Sequence, residues 1–319
     1  MFTNLFSNIQ NTLQRLNRQV EQALQEALDQ AAEARQAQQH QEGSSSSSNS
    51  AQQRGAPSSS PSLTPRVRDV HAAKQLLMRP PCNLPLELVV LVLDYAEYWP
   101  VLARAGRADR VRLDAGFLPG NCIADLYLAS PALPLADVDR GERAKPREVR
   151  VWVKSRDQGW VSQDRRGLDP YAQSYSWFDA CIFRPTSPSI SSSTSTTIAL
   201  PHLDRVAKPA DAVGALAAAS MCFVPRTVVK QRQNEQTGLL EDVHETEEIG
   251  LWRLQCNRVA EPRPWQHRIV WREGDGGDAQ GFVETLKEGD RVGVWARAMF
   301  PGWTNQVEAM AIEVRGSVI

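Results

Sequence analysis

The chain has 319 residues, 42% hydrophobic and 23% charged, with 36 Lys and Arg against 37 Asp and Glu. A net charge of -1 supplies no global field for nucleic acid or an anionic membrane, so either would need a local patch. No apolar run reaches the ~18 residues of a membrane span, no secretory signal is evident, and five scattered cysteines read as small core residues in a reducing compartment, cytoplasmic or nuclear.

In residues 1–42, Phe2, Leu5, Phe6, Ile9, Leu13, Leu16, Val20, Leu24 and Leu28 recur every three or four positions, the spacing of one helical stripe. The stretch lacks Gly and Pro and is rich in Gln, Ala, Leu and Glu, so it reads as one long amphipathic helix. Its first twenty residues carry Arg15 and Arg18 and no acid. Such a stripe must cover some surface: a partner protein or a second copy, or a lipid interface met peripherally through residues 1–20. A mitochondrial presequence fits less well, because Glu21, Glu26 and Asp29 follow closely. Residues 43–65, GSSSSSNSAQQRGAPSSSPSLTP, cannot bury enough apolar area to offset ordering and read as a disordered linker.

Residues 66–100 read as a helical block. Arg68 to Met78 places Val70, Ala73, Leu76 and Leu77 on one side. After Pro80 and Pro81 comes LPLELVVLVLDYAEYWP, Leu84 to Pro100, with Pro85 suited to a first turn. Leu88, Val89, Val92, Leu93, Ala96 and Trp99 form a broad apolar face, which predicts a buried helix.

Residues 101–319 read mostly as strands. Val149, Val151 and Val153 alternate with Arg150, Trp152 and Lys154, and the same period of two runs through Trp252 to Cys256, His267 to Trp271, Val292 to Ala296 and Met310 to Val314. Ile123 to Leu128, Ser174 to Phe183 and Met221 to Val229 are further strands. Segments near 186–200 and 230–248 read as flexible insertions. With few helices between strands, a parallel sheet is disfavoured. The predicted fold is mainly β, an antiparallel β-sandwich of jelly-roll type, preceded by the helical block and the separate amphipathic helix.

Two segments carry a resemblance: LPLELVVLVLDYAEYWP, and FVETLKEGDRVGVWARAMFPGWTNQVEAMAIEV from Phe282 to Val314, together with DQGW at Asp157 and YSWFD at Tyr175. In this order they resemble a family of filamentous-fungal proteins with an F-box-like helix followed by a Trp-rich β domain. The resemblance implies this arrangement and no activity. The first segment resembles the opening helix of an F-box, which implies a ubiquitin-ligase adaptor as partner and Leu84, Leu88, Val92 and Trp99 as the partner-binding helix positions. The alternative, from the apolar face alone, is a core helix packed on the β domain. Beyond Pro100 the sequence does not continue with helical periodicity, so the F-box resemblance covers one helix.

No catalytic or metal motif emerges. There is no G-x-S-x-G elbow, and the five histidines show no metal-ligand spacing. His267 alternates with Ile269 and Trp271 and reads as a satisfied core histidine. The loop GDGGDAQG, Gly274 to Gly281, lacks the Lys of a phosphate loop and the spaced acids of a calcium loop. Neither catalytic residues nor a cofactor is assigned.

Tryptophan is the compositional oddity: 9 against 5 Tyr, with eight between Trp152 and Trp303. Trp252, Trp271 and Trp295 sit in alternating strands and are expected in the core. Trp160, Trp265 and Trp303 adjoin turns, and with Tyr171, Tyr175 and Trp177 they are candidates for a ligand-binding cluster at one end of the sandwich. The functional expectation is a non-enzymatic interaction or adaptor protein that binds a protein or small ligand through the β domain. The alternatives are a carbohydrate-binding module using the loop tryptophans, and an enzyme with an unrecognised site. Single-stranded nucleic acid is not expected, because Arg291, Arg297 and Arg315 are few and interspersed with acids.

Overall fold

The computed structural model describes residues 65–80, 82–134, 136–137, 142–162, 165, 167–186, 200–201, 203, 205–233 and 240–319. The helix expected in 1–42, the linker 43–64 and most of the insertion near 186–200 lie outside these residues. The chain divides into two units at Pro100/Val101.

In the first unit, α1 (Val67–Met78) and α2 (Leu86–Tyr95) pack together. Asp69 accepts the Arg66 backbone N–H at 2.8 Å to start α1, and Leu84 N–H donates to Leu77 O at 3.0 Å across the connection. Val70, Ala73 and Leu77 are buried on α1, and Val89 and Leu93 on α2. The expectation of a buried second helix is overturned on its other side, where Leu86, Leu88, Leu91 and Tyr95 are exposed. Two helices this short have too little surface between them to hide every apolar position. Of the expected partner-binding positions, Leu88 is exposed, Leu84 and Val92 are half-buried, and Trp99 is buried with its indole N–H on Asp94 at 2.9 Å.

The second unit is mainly β and antiparallel. One sheet takes β1 (Val101–Arg107), β13 (Thr304–Val318), β5 (Glu142–Arg156) and β11 (Trp265–Arg272) in that order, with β2 (Val111–Asp114) beside β13 and β4 (Ala136–Asp137) beside β5. The other takes β10 (Trp252–Cys256), β6 (Ser176–Pro185), β12 (Arg291–Met299) and β3 (Cys122–Ala129), with β7 (Met221–Phe223) on β6. Counting β1 and β2 as one edge and numbering the long strands along the chain, the two orders are 1-8-3-6 and 2-7-4-5, a jelly roll. The sandwich interior holds Val149, Val151, Val153, Met310, Ile312 and Val314 from the first sheet, facing Phe178, Ile182, Val292, Val294 and Trp252 from the second. Alternation along each strand sends these side chains to one face. Gly316 lies at a bulge between β13 and β5, where any Cβ would strike the Lys145 carbonyl and the Leu102 side chain.

Strand β6 departs from alternation: every residue from Ser176 to Phe183 is buried. Its outward positions Cys181 and Phe183, with Trp295 of β12, are covered by a second apolar cluster of Leu203, Ala212, Leu216, Met221 and Phe223. Leu216 comes from α3 (Val213–Ala218), a helix unmarked by any long periodic pattern. Burial pushes the Cys181 thiol well up, so this cysteine packs rather than reacts. The reading of cysteines as core residues holds for Cys181 alone: Cys222 is exposed and the others are half-buried.

Two further expectations change. Val101 to Asp114, unassigned in sequence, forms β1 and β2. The insertion expected at 230–248 contains paired strands, β8 (Arg226–Gln233) and β9 (Leu240–Glu247). Arg226 lies opposite Glu247 in the register of that ribbon, a placement that favours pairing of a polar sequence. The Gly274–Gly281 loop leads into a single turn, α4 (Phe282–Thr285), whose Phe282 packs edge-on to Trp252 at 5.0 Å and to Trp271 at 4.9 Å. Among the described residues no helix is long and apolar enough to cross a membrane.

At the end of the sandwich where β5 finishes and β6 begins, the sheets are joined by buried polar side chains. Ser155 of β5 donates its hydroxyl to Asn257 Oδ1 at 2.6 Å. The Asn257 amide donates to Ser176 Oγ at 3.0 Å and to Asn305 Oδ1 at 3.1 Å. Asn305 in turn donates to the carbonyls of Trp177 at 3.0 Å and Arg297 at 3.1 Å. All four side chains are buried, so each group depends on the others for its partners. Asn257→Ala should therefore cost about 2–4 kcal/mol of stability, more than one exposed hydrogen bond would. Urea unfolding checks it: the midpoint should drop with the slope unchanged.

Candidate functional site

The loops beyond that polar junction are clamped by a buried carboxylate. Asp157 accepts the Gly159 N–H at 2.8 Å on one oxygen and the Ala260 N–H at 2.7 Å on the other. Burial pushes its carboxyl above the usual range, opposed by these same N–H groups. Gly159 takes the left-handed φ of 84°, and a Cβ there would sit 3.6 Å from Pro262 Cα, which places the 157–160 turn directly against the 258–262 turn. Val259 N–H donates to Pro170 O at 2.8 Å, and Arg156 reaches Pro262 O at 2.6 Å and Gln306 Oε1 at 2.9 Å. Two loops distant in sequence thus form one rim.

His267 and Trp265 lie two residues apart on β11, on the same face of the strand. Tyr171, from the loop after β5, packs on His267 with ring centroids 5.9 Å apart. The Arg258 guanidinium covers the Trp265 ring at 4.2 Å. Trp265 is 45% exposed and Trp160, on the opposing turn, 64% exposed.

The sequence predicts His267 as a satisfied core residue, and the structure corrects this. The ring is only 5% exposed, yet its Nε2 has no hydrogen-bond partner among the described residues. The same holds for Arg258 Nε, although the guanidinium reaches Glu261 at 3.8 Å, and for Gln158 Oε1, although its amide donates to Trp160 O at 2.9 Å. Native proteins rarely leave buried polar atoms without partners, and a binding site is one setting where they do. Gln158 adjoins the loop aromatics in sequence and is legible there as a polar flank of the rim. Arg258 carries no motif and was missed, because its role comes from loops meeting in space.

The other predicted site residues separate. Tyr175 and Trp303 come together, edge-on at 5.2 Å, with Phe300 edge-on to Tyr175 at 4.7 Å, forming an aromatic knot at the β12–β13 turn. Trp177 is buried on the outward side of β6, between the Arg253 and Arg297 guanidiniums at 4.7 and 4.9 Å. Its indole N–H and both guanidiniums converge on Asp179, at 2.9, 2.8 and 2.7 Å. This cluster satisfies itself.

A shallow groove of about 450 Å³ lies on the outer face of the first sheet, floored by Gly106, Ala309 and Ala311 and flanked by Trp152, Lys154 and Gln266. Nearby cations are matched by acids: Lys154 meets Glu308 at 2.8 Å, Arg104 meets Glu313 at 2.5 Å, and Arg272 meets Glu148 at 3.0 Å. The groove therefore has shape without a directing charge. Among the described residues no group of three His, Cys, Asp or Glu side chains is placed to hold a metal ion.

Comparison of the chain with family models, with curated proteins and with solved structures finds no match in any of the three.

Burial, with the Arg258 charge, pulls the His267 pKa down to about 4 from 6.5. An unfolded histidine takes its proton near 6.5, so between these values the unfolded chain binds more protons and stability falls as pH is lowered. From pH 6.5 to 5 this group should remove about 1 to 2 kcal/mol, the lower figure allowing for solvent screening. In urea unfolding at the two pH values, His267→Gln should lose less stability than the native chain by that amount.

Proposed function

We propose that the β domain is a non-enzymatic binding module whose rim, between the 157–160 turn and the 258–267 segment, receives a small hydroxylated ring, a sugar in chemical class. The observation that carries this reading is the set of buried unpartnered atoms, Arg258 Nε and Gln158 Oε1 on the two clamped loops and His267 Nε2 on β11, beside the exposed indoles of Trp160 and Trp265. A sugar presents hydroxyls that both donate and accept, and a C–H face that lies flat on an indole. The rim supplies donors, acceptors and indoles of that kind. Neutral His267 at pH 7 is suited to hydrogen bonding rather than to charge attraction.

The test is a glycan panel screened by intrinsic tryptophan fluorescence and followed by calorimetry. At least one glycan should bind saturably, and Trp265→Ala should weaken it about tenfold or more, the effect of roughly 1.4 kcal/mol of lost contact. Trp303→Ala, at the separate aromatic knot, should leave affinity unchanged. Absence of any binding glycan, or binding indifferent to Trp265→Ala, refutes the reading, as would capture of peptides alone on the same rim.

A further inference from the structure

The groove on the outer face of the first sheet is built by strand register. Gly106 of β1 lies beside Ala311 of β13, and Ala311 beside Trp152 of β5. Two residues further along, Ala309 lies beside Lys154, and Lys154 beside Gln266 of β11. Val151, Val153, Met310 and Ile312 point into the core, so alternation sends their neighbours to the outer face. Small residues on β1 and β13 leave a trough there, with the Trp152 indole at its side. The trough crosses from β1 to β11, so its length is on the order of 14 Å, or three strand spacings.

Trp152 is half-buried, and among the described residues no ring or guanidinium stacks on it, whereas Trp177, Trp252 and Trp265 each have such a partner. The two cations that line the trough are both paired, Lys154 with Glu308 at 2.8 Å and Arg107 with Asp109 at 3.3 Å. A charged ligand gains little from such a floor. An extended peptide gains little either, because β13 and β5 are paired on both sides and leave no backbone ladder to join. What remains is an indole face beside the Gln266 amide and the Lys154 ammonium. That set suits an uncharged chain with C–H faces and many hydroxyls.

The trough also ends beside the rim. Gln266 lines the trough and directly follows Trp265 of the rim, one Cα step of about 3.8 Å away. Their side chains point to opposite faces of β11. Because β11 is the edge of its sheet, no strand among the described residues pairs beyond it. A chain can therefore pass from one face to the other around its first residues.

We infer that the sugar proposed for the rim is one unit of a linear, uncharged polysaccharide whose next units cross the start of β11 and lie in the trough against Trp152. This inference rests on the rim reading and deepens it from a single ring to a chain. Trp265 and His267 face one unit, and Gln266 and Trp152 face units further along.

Calorimetry of the full chain with cello-, xylo- and manno-oligosaccharides, from monosaccharide to hexasaccharide, tests it. In at least one series the affinity should rise about tenfold or more with length. Trp152→Ala should remove that gain and leave the shortest binding member unaffected, which also reports that the variant is folded. Ala311→Gln, which fills the floor without touching an indole, should do the same. Trp265→Ala should weaken every length alike. Affinity that is flat along every series, yet still sensitive to Trp265→Ala, overturns the inference and leaves the rim reading standing. If no member binds, or if binding ignores Trp265→Ala, the rim reading falls and this inference with it. A length gain that survives both Trp152→Ala and Ala311→Gln also overturns it. So does a trough occupied otherwise: self-association, or capture of an unstructured peptide, that Trp152→Ala abolishes while no oligosaccharide shows a length gain.

Discussion

Two buried amides, Asn257 and Asn305, hold the end of the sandwich on which the candidate site is built. A jelly roll closes its core with side chains from both sheets, but its ends are made of loops, and loop backbone cannot be buried without partners. Here Asn257 links Ser155 of one sheet to Ser176 of the other, and Asn305 receives that amide while capping the Trp177 and Arg297 carbonyls. The network is fully internal and fully buried. Removing any member leaves the rest desolvated without partners, so the junction has one well-formed arrangement rather than several similar ones.

The rim inherits its geometry from that junction. Asn257 is followed at once by Arg258 and by the turn that Asp157 grips through Ala260, and Asp157 is followed by Gln158 and Gly159. The polar atoms assigned to a ligand therefore sit one residue away from groups locked in the structure. A site placed on loops gains exposure, and one placed beside a rigid anchor also gains precision. His267 belongs to the same arrangement from the strand side. Its burial keeps it neutral while Tyr171 and Arg258 hold its surroundings in place.

Much of the β architecture was legible because burial on one face writes a period of two into a strand. Val149 to Val153, His267 to Trp271 and Met310 to Val314 all show it, and all pair in one sheet. Legibility fell where the rule has exceptions. β1 and β2 are short edge strands whose Arg-rich sequence has little to bury, so their place comes from pairing with β13. The β8–β9 ribbon is paired along its backbone, while its polar sequence resembles a solvated loop. For α2 the error ran the other way: a helix apolar on all sides reads as buried, but sequence cannot say how much covering surface the fold supplies.

The candidate site divides along the same line. Sequence alone determined that indoles gather near turns in the second half of the chain, that the fold is an antiparallel sandwich, and that no familiar catalytic spacing is present. It could not sort Trp160, Tyr171, Tyr175, Trp177, Trp265 and Trp303, because neighbours across a loop leave no periodic trace. Tertiary structure alone decided that Trp265 stands beside His267 and Arg258, that Tyr175 and Trp303 form a separate knot, and that Trp177 lies between two guanidiniums over Asp179. The physical reason is that strand periodicity records which face is buried, whereas a site depends on which loops meet and which polar atoms the meeting leaves unpartnered.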